Sequence, residues 1–169
     1  MINRLPTGTT LTGSSEPPVN AARISIYDNS IDNIGIAPYY GDGIPLQILG
    51  ATSDVLVAHN SWSNAGLLAI SFDGAPGTRT VIHSNIIPTG IYGVKGTGLS
   101  TGNGTISYYM AGGVFSYDAV VGGSCGSYPV TTTCPSGIPS SPGLGYDART
   151  VGADASKISA ATSGAIVSP

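Results

Sequence analysis

The sequence predicts an all-β fold, a short right-handed parallel β-helix (a solenoid) of about four to five coils, and three observations lead there. The first is a repeat, found by aligning the chain on itself. Four segments share one template: an apolar residue, two variable ones, Asn or Asp, one variable residue, then an apolar residue. They are Ile26-Tyr27-Asp28-Asn29-Ser30-Ile31, Val57-Ala58-His59-Asn60-Ser61-Trp62, Ile82-His83-Ser84-Asn85-Ile86-Ile87 and Phe115-Ser116-Tyr117-Asp118-Ala119-Val120. Their Asn/Asp positions lie 31, 25 and 33 residues apart, as coils with loops of unequal length would give. The second is a further run within the coils: Leu46-Gln47-Ile48-Leu49-Gly50, Ala69-Ile70-Ser71-Phe72-Asp73-Gly74 and Gly93-Val94-Lys95-Gly96, which lines up Ile48, Ile70 and Val94. The third is composition: Gly (25) and Pro (12) together exceed a fifth of the 169 residues, which favours frequent turns over long helices.

Each element follows from these. Residues 1–21 are polar and Pro-rich and read as a partial coil or cap. Residues 22–121 carry the coils, and 122–169 read as a loop-rich C-terminal cap, all within one domain spanning 1–169. No strand is stable alone, but stacking like on like buries its apolar face and pairs its backbone groups with the next coil. At a sharp bend, stacked Asn amides hydrogen-bond along the column, a ladder that Asp118 would end or weaken. Trp62 aligns with Ile31, Ile87 and Val120 and belongs to the core. His83 aligns with Tyr27, Ala58 and Ser116, outside the apolar columns, and is expected at the surface. A β-sandwich is the rival, but Asn103-Gly104, the one Asn-Gly pair, lacks alternating strands on both sides. A turn of helix is expected around Asp154-Ala155-Ser156-Lys157-Ile158.

Charged residues make up only 9% of the chain and the net charge is −3, with no Lys/Arg cluster, so nucleic acid is not an expected partner. No apolar run reaches the length of a membrane span, and no membrane partner is expected. The N-terminal residues lack the apolar core of a signal peptide. The low-charge, Ser/Thr/Gly-rich composition nonetheless looks exported, secreted or periplasmic, which fits if Met1 starts a mature or truncated product. A disulfide between Cys125 and Cys134, the only cysteines, suits an oxidising compartment; two buried free thiols are the other reading.

The Asn-containing coils resemble the right-handed parallel β-helix proteins of the pectate-lyase-like superfamily. The stretches Gly90-Ile91-Tyr92-Gly93-Val94-Lys95-Gly96-Thr97-Gly98, Tyr109-Met110-Ala111-Gly112-Gly113-Val114-Phe115 and Val151-Gly152-Ala153-Asp154 look like the C-terminal part of bacterial members. The resemblance covers roughly residues 22–160 and is one of pattern. Relatives are usually longer, so this chain looks like the last few coils of one. What the resemblance implies is an exported carbohydrate-active protein that cleaves a polysaccharide, a glycoside hydrolase before a lyase. The alternative is a non-catalytic solenoid that binds glycan or packs against something. The family's motifs are missing: there is no adjacent Asp-Asp pair, no Gly-His-Gly, no Arg-Ile-Lys and no Arg-rich strand. No family catalytic residue transfers by motif.

Candidate residues come instead from the columns. In Asn register, Asp28, His59 and Ser84 fall at one position in three coils, the inventory of an activated nucleophile, although positions before a bend are polar without any chemistry. Glycoside hydrolysis needs two carboxyl groups, drawn from Asp28, Asp32, Asp42, Asp54 and Asp73, each of which would ordinarily be a solvated turn residue. The catalytic candidates are Asp28, His59, Asp73 and Asp42. Tyr39, Tyr40 and Tyr92 are candidate platforms for sugar rings, and Lys95 beside His83 is a thin version of the pair a lyase needs. Tyr108 and Tyr109 are further platform candidates. A zinc site on His59 and His83 lacks a third ligand, so no metal and no cofactor is expected. The expected partner is a polysaccharide, and uncovered solenoid ends would drive self-association into a homo-oligomer.

Overall fold

Strands of two to six residues are not stable alone, and this chain supplies their pairing partners from itself. The computed structural model describes residues 2–3, 20–35, 37 and 40–138. Within them the strands are β1 (Ile2–Asn3), β2 (Ala22–Tyr27), β3 (Ser30–Ile31), β4 (Leu46–Leu49), β5 (Ser53–Ala58), β6 (Ser61–Trp62), β7 (Ile70–Asp73), β8 (Thr78–His83), β9 (Ile86–Pro88), β10 (Val94–Gly96), β11 (Val114–Ser116) and β12 (Ala119–Val121). A helix, α1 (Asn103–Tyr109), follows β10, and a 3-10 turn, Cys125–Ser127, follows β12. The expected helical turn near residue 154 and most of both expected caps lie outside the described residues.

The strands form three sheets, here named A (β1-β4-β7-β10), B (β2-β5-β8-β11) and C (β3-β6-β9-β12). Every paired strand is parallel to its neighbour. After β1 the chain visits B, C and A in turn, so each strand lies on its counterpart from the previous pass. This is a solenoid-like parallel β fold, compatible with the expected β-helix.

Inward side chains stack in columns. Sheet B aligns Ile26, Val57, Ile82 and Phe115, and sheet C aligns Ile31 with Trp62 and Ile87 with Val120. In sheet A the register is Leu46–Ile70–Val94 and Ile48–Phe72–Gly96. The expected alignment of Ile48 with Ile70 is therefore displaced by two residues. A slip of two keeps every side chain on its own face, so alternation alone does not reveal it. Trp62, Phe72, Ile70, Ile82 and Ile87 are almost wholly buried, each worth about 1.5–3 kcal/mol of burial.

The bend from sheet B to sheet C carries the ladder. Asn29 Nδ2 donates to Asn60 Oδ1 (2.9 Å), Asn60 Nδ2 to Asn85 Oδ1 (3.0 Å) and Asn85 Nδ2 to Asp118 Oδ1 (2.9 Å). The same oxygens accept the backbone N–H of the preceding rung, at 3.0, 2.9 and 2.8 Å. Just before each rung the backbone turns left-handed, at Asp28 (φ 56°), His59 (54°), Ser84 (58°) and Tyr117 (58°). That conformation costs an L-residue roughly 1–2 kcal/mol, and the amide ladder is what holds it.

The end of the stack beyond β10 and β12 is covered. Tyr109 of α1 stacks on Phe72 (5.5 Å between ring centroids) and fills the space that a side chain at Gly96 would need, 2.1 Å from its Cβ position. Asn103-Gly104, the pair that lacked alternating strands on both sides, opens this helix. Tyr128 stacks on Phe115 at 6.2 Å, and Cys125 and Cys134 are bridged, with a Cα–Cα distance of 5.6 Å. The bridge closes a short loop that pairs with β12 through Thr133 and Ala119. At the other end, the inward residues Ile24, Ile26 and Ile31 are only half-buried.

Asn85→Ala tests the ladder. It strips the Asn60 N–H of its acceptor and the Val57 and His83 carbonyls of a donor. The expected loss is about 3 kcal/mol or more, read from the midpoint of urea unfolding; an unchanged midpoint would show that the ladder holds nothing.

Candidate functional site

Alternation along sheet A places every second residue outside. Gln47, Ser71 and Lys95 stand in register on its outer face, with Leu49 and Asp73 in the next column. The connection from sheet C to β4 is long, and it folds over one end of this face. Gly35 (φ 75°) and Gly43 (φ 69°) make that possible, because a Cβ at either would come within 2.5 Å of the backbone of Gly43 or Gly66. The turn is pinned to the following coil by Gly66 N–H on the Gly43 carbonyl and Leu67 N–H on the Asp42 carbonyl, both 2.7 Å.

A cleft of about 550 Å³ opens here, lined by Asp32, Tyr40, Asp42, Ile44 and Gln47 among others. Asp32 accepts hydrogen bonds from Ser63 Oγ and the Asn33 amide, so its carboxylate is oriented by its own turn. A second cleft of about 250 Å³ lies further along the same face, lined by Leu68, Ser71, Tyr92, Lys95 and Thr97. Gln47 in the first pairs with Ser71 in the second, which joins the two clefts along the outer face of sheet A. Lys95 Nζ sits 4.8 Å from the Tyr92 ring centroid, a cation–π contact that props the ring. Tyr40 and Tyr92 are 73% and 46% exposed, enough to receive a ligand.

Five of the candidate residues from the sequence, Asp32, Tyr40, Asp42, Tyr92 and Lys95, line these clefts. Asp73 ends β7 on the same sheet and is exposed. Tyr39 lies outside the described residues. Asp28 and His59 stand elsewhere, at the bend between sheets B and C. There Asp28, His59 and Ser84 do stack in successive coils, as the Asn register requires. His59 lies between Tyr27 (5.1 Å) and His83 (5.6 Å, edge to face), and Ser84 Oγ is 3.1 Å from His83 Nδ1. His59 and Ser84 are 5% and 4% exposed. Tyr109, another platform candidate, is buried against Phe72; burial, then the nearby Asp73 and Tyr108, pushes its hydroxyl up.

Two carboxyls stand apart electrostatically. The Arg79 guanidinium grips Asp54 with two bonds (2.5 and 2.8 Å) and, helped by Arg23, holds it below the usual carboxylate range. Asp118 is driven the other way, up to about 7, by complete burial that its two Asn85 hydrogen bonds only partly offset. Among the described residues, no three His, Cys, Asp or Glu side chains are grouped to hold a metal ion. Gln47 and Ser71 escaped the sequence reading, although the polar residue between Leu46 and Ile48 signals an outward position. No family model matches this chain, and neither does any curated protein or solved structure.

At the bend between sheets B and C the His59 ring is buried between Tyr27 and His83. His59→Ala removes a buried ring and two ring contacts, and should lower stability by about 1–3 kcal/mol in urea unfolding. A variant as stable as the parent would show the ring to be idle in packing.

Proposed function

We propose that the outer face of sheet A is a glycan-binding surface on an exported protein. The observation that carries this reading is the pair of clefts joined through Gln47 and Ser71, with Tyr40 beside one and Tyr92 beside the other. Exposed tyrosines flanking a row of hydrogen-bonding side chains, Gln47, Ser71 and Lys95, suit a sugar chain, whose rings stack and whose hydroxyls both donate and accept. The Cys125–Cys134 bridge supports an oxidising compartment. In this reading the described strands are coils of a right-handed parallel β-helix of the pectate-lyase-like kind, with the chain crossing over in the sense that parallel strands favour.

Binding is favoured over cleavage by where the carboxyls lie. A hydrolase needs one carboxyl kept protonated beside the scissile bond and a second one ionised. The carboxyl that burial drives up is Asp118, inside the ladder and away from the clefts. Hydrolysis is the second reading, and its support is that Asp32 and Asp42 line one cleft.

A glycan panel, assayed for binding and for released oligosaccharides by mass spectrometry, decides between the two. Binding without products is the expected result. Saturated products would move the assignment to hydrolysis, unsaturated ends to elimination, and folded protein that binds no glycan would end the proposal. Tyr92→Ala should weaken binding about tenfold, since one sugar–aromatic contact is worth on the order of 1 kcal/mol or more, without moving the unfolding midpoint.

A further inference from the structure

The ladder repeats the same donor arrangement until its last rung. Asn60 Nδ2 donates to the carbonyl two residues before it, Ala58 (3.0 Å), and to Ile26 of the previous coil (2.9 Å). Asn85 Nδ2 donates to His83 and Val57 in the same way, both at 3.0 Å. Asp118 keeps half of this pattern: its Oδ1 accepts from the N–H and the Nδ2 of Asn85, as an Asn oxygen would. Its Oδ2 therefore takes the place of the missing Nδ2, on the side of the Ser116 and Ile82 carbonyls that the register supplies. That atom is buried and has no hydrogen-bond partner, and the next residues in the column, Thr132 and Thr133, also bury hydroxyls without partners. An ionised oxygen among carbonyl oxygens is repelled, whereas an O–H there donates as the amides below it do.

We propose that Asp118 is a neutral carboxylic acid that completes the ladder through an Oδ2–H donor, and that its ionisation loosens the disulfide-closed loop resting on it. That loop is tied to this rung by Thr133 N–H on the Asp118 carbonyl (3.0 Å) and Val120 N–H on the Thr133 carbonyl (2.8 Å). Among the described residues, no Lys, Arg or His acts on the Asp118 proton. Its neighbours in sequence and register are Tyr117, the His83-Ser84-Asn85 run of the previous coil, and Thr132 and Thr133 of the loop that Cys125 and Cys134 close. Burial and the Asn85 bonds are the influences acting on its proton.

The direction follows from linkage. The folded protein holds this proton more tightly than the unfolded chain, so the contribution of Asp118 is fully present below the ordinary carboxyl value of 3.8 and is lost as pH rises toward about 7. Over that span the folding constant should fall on the order of a thousandfold. Asp118→Asn puts an Nδ2 donor at the same place with no proton to lose. Comparing the two proteins cancels every pH-dependent contribution that they share. The expected result is a stability that drops between pH 5 and 8 in the parent and stays flatter by about a hundredfold or more in Asp118→Asn. Protection of the Val120 and Thr133 amides from hydrogen exchange should fall with pH in the parent alone. Equal pH slopes in both proteins would overturn the proposal. If the variant fails to fold, the Cγ shift of Asp118 in the parent decides by NMR: titration near neutrality supports the proposal, and titration at an ordinary aspartate value ends it.

Discussion

The bend between sheets B and C is the constraint on which the rest of this molecule depends. Each coil must turn there through a left-handed residue, and Asp28, His59, Ser84 and Tyr117 have little in common except that position. What makes the turn repeatable is the residue after it. One amide oxygen accepts both the backbone N–H and the side-chain amide of the coil before, while its nitrogen satisfies carbonyls that the turn would leave bare. With the turn fixed, the register of sheets B and C follows, since a displaced coil would break two bonds per rung in a buried setting where each is costly. The apolar columns then supply most of the burial energy, but they tolerate a slip of two that the ladder forbids.

Holding one corner so tightly leaves another free to vary. The bend carrying the ladder has the same length in every coil, and His59, Asn60, Ser84, Asn85 and Asp118 within it are buried. The connection from sheet C to sheet A is long before β4 and short before β7 and β10, so it alone folds out over a sheet face. The glycines at 35, 43 and 66 let that excess chain lie close against the coils. The rigid corner sets the spacing of the outward side chains, and the variable one shapes the walls of the cleft.

The same division explains what could be read beforehand. The parallel solenoid character was legible because the Asn template ties one side chain to one backbone conformation, four times over. Sheet A had no such marker, only alternation, and its column was therefore displaced from Leu46 to Ile48. Helix α1 left almost no trace: seven residues containing a Gly, a Thr and two Tyr have weak helical preference, and the helix exists because Tyr109 and Met110 cover the end of the core. Stacking also concealed the fate of the polar candidates. Asp28, His59 and Ser84 do share a column, but no sequence pattern says whether a column faces solvent, and the rings of Tyr27 and His83 enclose His59.

The last rung brings these threads together. A run of amides is directional here: every nitrogen points to the next coil and every oxygen to the one before, so successive bonds polarise one another in one sense. Such a run needs an acceptor at its far end, and Asn or Asp provides it equally well. The difference lies in the second atom. Asn at 118 would leave the ladder indifferent to its surroundings, because an amide donates at any ordinary pH. A carboxyl donates only while it keeps its proton, and burial beneath Thr132 and Thr133 is what lets it do so near neutrality. Placed in the middle of the ladder, such a group would put the whole stack at risk. At the end, under a loop closed by its own disulfide, it puts at risk only the last rung.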